Sequence, residues 1–266
     1  MKNIIKLFTL VLLLGFLVGC GGGSDGSGGG SGGEIDNSQA GEISGLGLNY
    51  EGEVYGTPYN LPQGVSLKTD MRGLSWAGYL IAGEFYSAIT SFSGYDTIVG
   101  SGGAVALSVE FENLNSVPKE VVFPAGLIIK PIEKGIQNGI LLKETRVTIP
   151  ANTNSYKIIL VMYCANLGIP SSWNLQVIYD GWVVTNSSLI QDLINRLKNK
   201  KINIEEYSSA EVNQYDENTT RLASILWKIT NGMSDYGLLA YEYSMFGRNY
   251  TDEEDILWIE QLQNSN

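Results

Sequence analysis

Histidine is absent from all 266 residues. Its absence removes the usual general base near neutral pH and the commonest transition-metal ligand, so Ser-His-Asp and Cys-His catalysis are excluded. Cysteine is nearly absent too, with Cys20 and Cys164 the only two. Positive charge is scarce: 17 Lys and Arg stand against 28 Asp and Glu, a formal net charge of −11. Such a surface repels phosphate, which excludes nucleic acid as an expected partner. The acidic residues show no Asp-x-Asp-x-Asp-Gly spacing of the calcium-loop kind, and no metal or cofactor is expected.

What the chain has in quantity is glycine, 32 residues, and tyrosine, 15. At the N-terminus Lys2 and Lys6 are followed by the apolar run Leu7 to Val18. That is a basic n-region and an h-region of signal-peptide length, shorter than the ~20 apolar residues of a membrane span. The run closes in Leu17-Val18-Gly19-Cys20, which resembles the lipobox of bacterial lipoproteins. The resemblance implies cleavage of residues 1–19, a diacylglyceryl group on the Cys20 thiol and acylation of the new amine. It also implies a bacterial cell-envelope location, held to a membrane from outside the cytoplasm. Gly21 stands where enteric-type lipoproteins carry the aspartate that marks inner-membrane retention, which implies an outer-membrane or cell-surface site. Loss of the signal leaves 15 basic against 28 acidic residues, a net charge of −13.

Residues 21–33 are glycine and serine apart from Asp25 and cannot bury enough apolar surface to order themselves. With Cys20 they read as a flexible tether of about 20 Å. Residues 34 to about 65, rich in Gly, Asn and Tyr, predict loops with room for an edge strand.

Further on the pattern is β. Val105, Leu107, Val109 and Phe111 alternate with Ala106, Ser108, Glu110 and Glu112, the period of a half-buried strand. Val121 to Phe123, Leu127 to Ile129, Gly139 to Leu142, Arg146 to Ile149 and Gln176 to Val184 supply further short strands between turn residues. Tyr156 to Cys164 is a near-continuous apolar run suited to a central strand covered on both faces. Several short strands so spaced predict an Ig-like antiparallel β-sandwich over 34–185.

After Asn186 the period becomes helical. Leu189, Ile190, Leu193, Ile194 and Leu197 form one stripe, with Ser188 and Gln191 spaced as a capping box. Leu222, Ile225, Leu226 and Ile229 form a second, stopped at Gly232, and a third helix is predicted over about Ser234 to Phe246. Thr251 with Glu254 caps a fourth. The fold class is therefore α+β, with about four helices over 186–266 packed on the sandwich.

If Cys20 is lipidated, Cys164 has no partner within the chain, and it is either buried as a small apolar group or used for its reactivity. Tyr163-Cys164-Ala165-Asn166, together with the segment from Leu222 through Trp227 to Gly232, resembles the two motifs of thioester domains in bacterial surface adhesins. In that family a cysteine is cross-linked to a glutamine four residues before the tryptophan. Here that position is Ala223, so a thioester would need another glutamine such as Gln137 or Gln214. The resemblance still implies a β-sandwich whose final helices pack beside it, with Trp227 as a core anchor.

Aromatic side chains offer flat apolar faces with polar edges, which either fill cores or stack on sugar rings. Trp173, Tyr179 and Trp182 on or beside the strand Gln176 to Val184 are one candidate patch, and Tyr50, Tyr55 and Tyr59 are a second. Carboxylates cluster at Glu205-Glu206 and at Asp252 to Asp255. The favoured expectation is a lipid-anchored, non-enzymatic surface module that binds cell-wall glycan or a surface protein, or plays a structural part. The alternative is a polysaccharide hydrolase using two carboxylates across a cleft, chemistry that needs no histidine.

Overall fold

The computed structural model describes residues 35–74, 94–169, 177–232 and 236–265. The signal sequence, Cys20, the tether and Trp173 lie outside the described residues.

Eleven strands are described: β1 (Gly56–Pro58), β2 (Val65–Leu67), β3 (Met71–Gly73), β4 (Thr97–Gly100), β5 (Val105–Asn113), β6 (Lys119–Phe123), β7 (Leu127–Pro131), β8 (Gly139–Ile140), β9 (Thr145–Ile149), β10 (Thr153–Cys164) and β11 (Ile178–Thr185). Four α-helices follow: α1 (Ser188–Leu197), α2 (Val212–Thr230), α3 (Tyr236–Phe246) and α4 (Asp252–Gln261).

Strand pairing overturns the sandwich. β5 pairs with β3, β3 with β11, β11 with β7, β7 with β8, β8 with β10, and β10 returns to β5, all antiparallel. The result is a closed six-stranded barrel, which leaves no edges within the ring. β1 extends β11, β2 extends β5, and β4 lies parallel to β10. The ribbon β6–β9 lays Val121, Phe123, Val147 and Ile149 against the barrel interior.

Alternation decides which side chains enter the ring. Val105, Leu107, Val109 and Phe111 of β5 meet Ile158, Leu160 and Met162 of β10 and Leu127 and Ile129 of β7 inside it. The interior is filled by side chains, as a barrel of this strand number requires. The opposite faces are also covered, which explains why β10 carries an unbroken apolar run. Ile159 and Val161 join Ala106 against Ile204, Tyr207 and Tyr215, while Tyr163 joins Ile128 and Ile140 against the helices.

The helical stripes bury as their spacing predicts: Ile190, Leu193, Ile194 and Leu197 from α1, and Leu222, Ile225 and Leu226 from α2. Gly232, at φ +89, follows the end of α2. Thr251 and Glu254 form the predicted capping box of α4. The box predicted at Ser188 and Gln191 does not form. Ser187 is the N-cap, and the Gln191 amide instead donates to the Thr185 carbonyl at 2.8 Å, tying α1 to the end of β11.

Candidate functional site

The first described residues form a strap across the junction of barrel and helices. Ile43 and Leu46 bury completely in the helix-side core. Over 41–52 the backbone is held at successive points. Gly41 N–H donates to Ile229 O at 2.9 Å and Gly47 N–H to Ala165 O at 3.0 Å. The Asn138 amide donates to Gly45 O at 2.6 Å, and Lys130 Nζ to Gly52 O at 2.7 Å. Burial lowers the Lys130 ammonium below its ordinary value, with Glu53 opposing. With Ile43 and Leu46 turned in, Leu48 and Tyr55 turn out, 65% and 58% exposed, and Tyr50 is half-buried. Leu48 and Tyr50 line an open depression of about 400 Å³ with Glu42, Ser44, Glu51 and Gly52.

A second aromatic group packs against the side chains of the barrel interior. Tyr59 N–H donates to Trp182 O at 2.9 Å, and their rings stack at 5.5 Å and 11°. Phe123 from the ribbon stacks on the other partner, 5.9 Å from Trp182. Burial pushes the Tyr59 hydroxyl up to about 12. The structure thus brings Tyr59 and Trp182 together as half-buried packing and sets Tyr50 and Tyr55 on the strap.

Tyr179 corrects the sequence reading. It is 2% exposed, with its hydroxyl donating to Gln137 O at 3.2 Å. In a regular strand Tyr179 and Trp182 would face opposite sides. The register shift between Asp180 and Trp182 adds one residue, and both turn inward.

Cys164 takes the buried alternative. Its thiol is fully enclosed, burial pushes it up to about 12, and Sγ lies 3.3 Å from Asn166 O. Trp227 donates from Nε1 to Cys164 O at 2.8 Å, so it anchors helix α2 to the end of β10.

In the first carboxylate cluster Glu205 is exposed overall and Glu206 half-buried, and both carboxylates are bonded to neighbouring segments. Glu205 accepts from Gly100 N–H at 2.9 Å and from Thr145 Oγ1, and burial raises its carboxyl. Glu206 accepts from Ile202 and Asn203 N–H at 2.9 Å and from Lys143 Nζ at 2.5 Å. Burial pushes its carboxyl up, but Lys143 and the backbone amide outweigh that and hold it low. Glu254 caps α4.

Comparison of the chain with protein families, with curated proteins and with solved structures returns no match. Among the described residues no group of three or more His, Cys, Asp or Glu is placed to hold a metal ion, and no helix is long and apolar enough to cross a membrane.

One constellation escaped the sequence reading. Arg221 and Lys228 of α2 meet Glu242 of α3 and Asp255 of α4 in the helical layer, each at most 6% exposed. Lys228 Nζ lies 2.6 Å from Asp255 Oδ2 and 3.1 Å from Glu242 Oε1. Arg221 donates to Asp255 Oδ1 with its guanidinium over the Tyr250 ring, and Ser224 donates to Glu242. The signal was present in two places. Arg221, Ser224 and Lys228 sit at helical spacing, and Glu242 is the only charge in α3.

Proposed function

We propose that the chain is a lipid-anchored extracytoplasmic protein acting as a non-enzymatic binding or structural module at the bacterial cell envelope. Cys20 carries the diacylglyceryl anchor and residues 21–33 are the tether. The observation that carries this reading is the sequence Leu17-Val18-Gly19-Cys20 and its Gly/Ser tether, followed directly by a strap bonded to the body at both barrel and helices. Such an arrangement transmits a tether's pull to the sheet and the helices alike. The binding face is the strap's outward side, where Leu48, Tyr50 and Tyr55 present apolar and aromatic surface beside Glu42 and Glu51. Aromatic rings with acidic neighbours suit a hydroxyl-rich ligand such as cell-wall glycan, through stacking and hydrogen bonds.

The test compares the native chain with Cys20→Ala in the producing bacterium. The native chain should fractionate with membranes and incorporate labelled fatty acid, and the variant should do neither; equal fractionation without label refutes the anchor. The soluble Cys20→Ala protein is then co-sedimented with purified cell wall and insoluble polysaccharides. Pelleting that falls about tenfold in Tyr50→Ala/Tyr55→Ala supports the face, since two stacked aromatics contribute about 1–3 kcal/mol. Release of reducing sugar would refute the non-enzymatic reading.

A further inference from the structure

Four charges enclosed among helices are an unusual thing for a fold to keep. Each costs several kcal/mol to take from water, and pairing offsets that only partly. Their arrangement is also specific: the Glu242 carboxylate touches the Lys228 amine, the amine touches the Asp255 carboxylate, and that carboxylate touches the Arg221 guanidinium. With Nζ of Lys228 2.6 Å from Oδ2 of Asp255, the amine nitrogen is no more than about 3.8 Å from the carboxyl carbon. That is close to the separation from which oriented groups react, and effective molarities of about 10⁵–10⁸ M follow from such placement.

We propose that Lys228 and Asp255 condense to an intramolecular amide, with Glu242 as proton carrier and Arg221 holding the carbonyl oxygen. The Lys228 ammonium hands one proton to Oδ2 of Asp255 across the 2.6 Å contact, which leaves a neutral amine facing a neutral carboxyl group. The freed lone pair attacks Cγ of Asp255, and the C–N bond forms as negative charge gathers on Oδ1, where Arg221 donates. Glu242, 3.1 Å from the attacking nitrogen, takes a second proton from it and passes it to the protonated Oδ2, the C–O bond breaks, and one water leaves. Ammonium and carboxylate become amide and water, so atoms and charge balance and no oxidant or co-reactant is needed. Burial raises the Asp255 carboxyl despite Lys228 and Arg221, which eases its protonation. The product removes two of the four enclosed charges and leaves Arg221 and Glu242 to balance each other. The bond would staple α4 to α2 around the segment 229–254.

The test uses the native full chain, denatured and digested with trypsin. An amide on Lys228 blocks cleavage there, so segments 222–248 and 249–266 should run as one species, one water lighter than their sum. Glu242→Gln, which keeps the shape of the carrier but not its basicity, should restore cleavage after Lys228 and the full mass. Separate segments of full mass from the native chain would overturn the proposal, and because that reading is made on the native protein, poor folding of a variant cannot obscure it.

Discussion

The strap's docking rests on a contact that only glycine permits, and Gly47→Ala tests it. A Cβ at Gly47 would stand 1.6 Å from Thr230 O and 2.3 Å from its carbonyl carbon, and both are backbone atoms that α2 holds in place. The residue also sits at φ +56, where a side chain costs about 1–2 kcal/mol by itself. Relief requires the strap to lift, which loses the Gly47 bond to Ala165 O, about 1 kcal/mol, and part of the burial of Ile43 and Leu46. Each of those side chains is worth about 1.5–3 kcal/mol when fully buried, so the expected loss is about 3–5 kcal/mol. Gly135→Ala is the matched control: φ is +79, but a Cβ there meets nothing within 4 Å, so only the conformational cost of about 1–2 kcal/mol remains. Urea unfolding followed by tryptophan fluorescence gives both values, and limited proteolysis of Gly47→Ala should cut first within 35–55. Equal losses in the two variants would refute the close packing of strap on α2.

Cys164 should resist thiol reagents in the native protein at pH 8 and titrate fully in denaturant, because its thiol is buried and pushed up to about 12. Stoichiometric native labelling within minutes would contradict that placement. Trp227→Phe should cost about 1–3 kcal/mol in urea unfolding, since it leaves the buried Cys164 carbonyl without its 2.8 Å donor; no loss would mean the bond contributes nothing. Glu211 is held at about 2, below its ordinary 4.5, by Lys201 Nζ at 2.6 Å and by the Ser208 amide and hydroxyl. A depressed folded value means its contribution is complete above pH 4.5 and is lost as pH falls toward 2. Glu211→Gln should therefore flatten the decline of the urea midpoint across that window, and an unchanged slope would count against the pairing.

Much of the fold was legible because periodicity is local. The alternation in β5 and the unbroken run in β10 placed both strands within a few residues and identified which faces bury. What alternation cannot report is which strand lies beside which. The barrel closes through β3 and β8, three and two residues long, which join β5 to β11 and β7 to β10. Elements so short carry no period, and without them the same long strands read as two facing sheets. The bulge at Asp180–Trp182 is lost for the same reason: one extra residue turns Tyr179 inward without altering the composition of the strand.

The buried charges show the complementary limit. Helical spacing puts Arg221, Ser224 and Lys228 on one side of α2, and a lone Glu242 in an otherwise uncharged α3 is itself a sign of a partner elsewhere. In the sequence, Asp255 reads as one of four acids at a helix N-terminus, a sufficient reason for its presence. The structure separates it from the others. Glu254 caps the helix and pairs with exposed Arg248, whereas Asp255, one residue on and about 100° around the helix, faces inward to Arg221 and Lys228. Dipole and capping preferences act on the whole first turn and cannot tell those positions apart; only the packing of α4 on α2 does. A run of like charges at a helix start is therefore read residue by residue against the face each one presents. The carboxylate turned toward the core is the one whose retention needs a second explanation, because removing it from water costs more than a helix terminus returns.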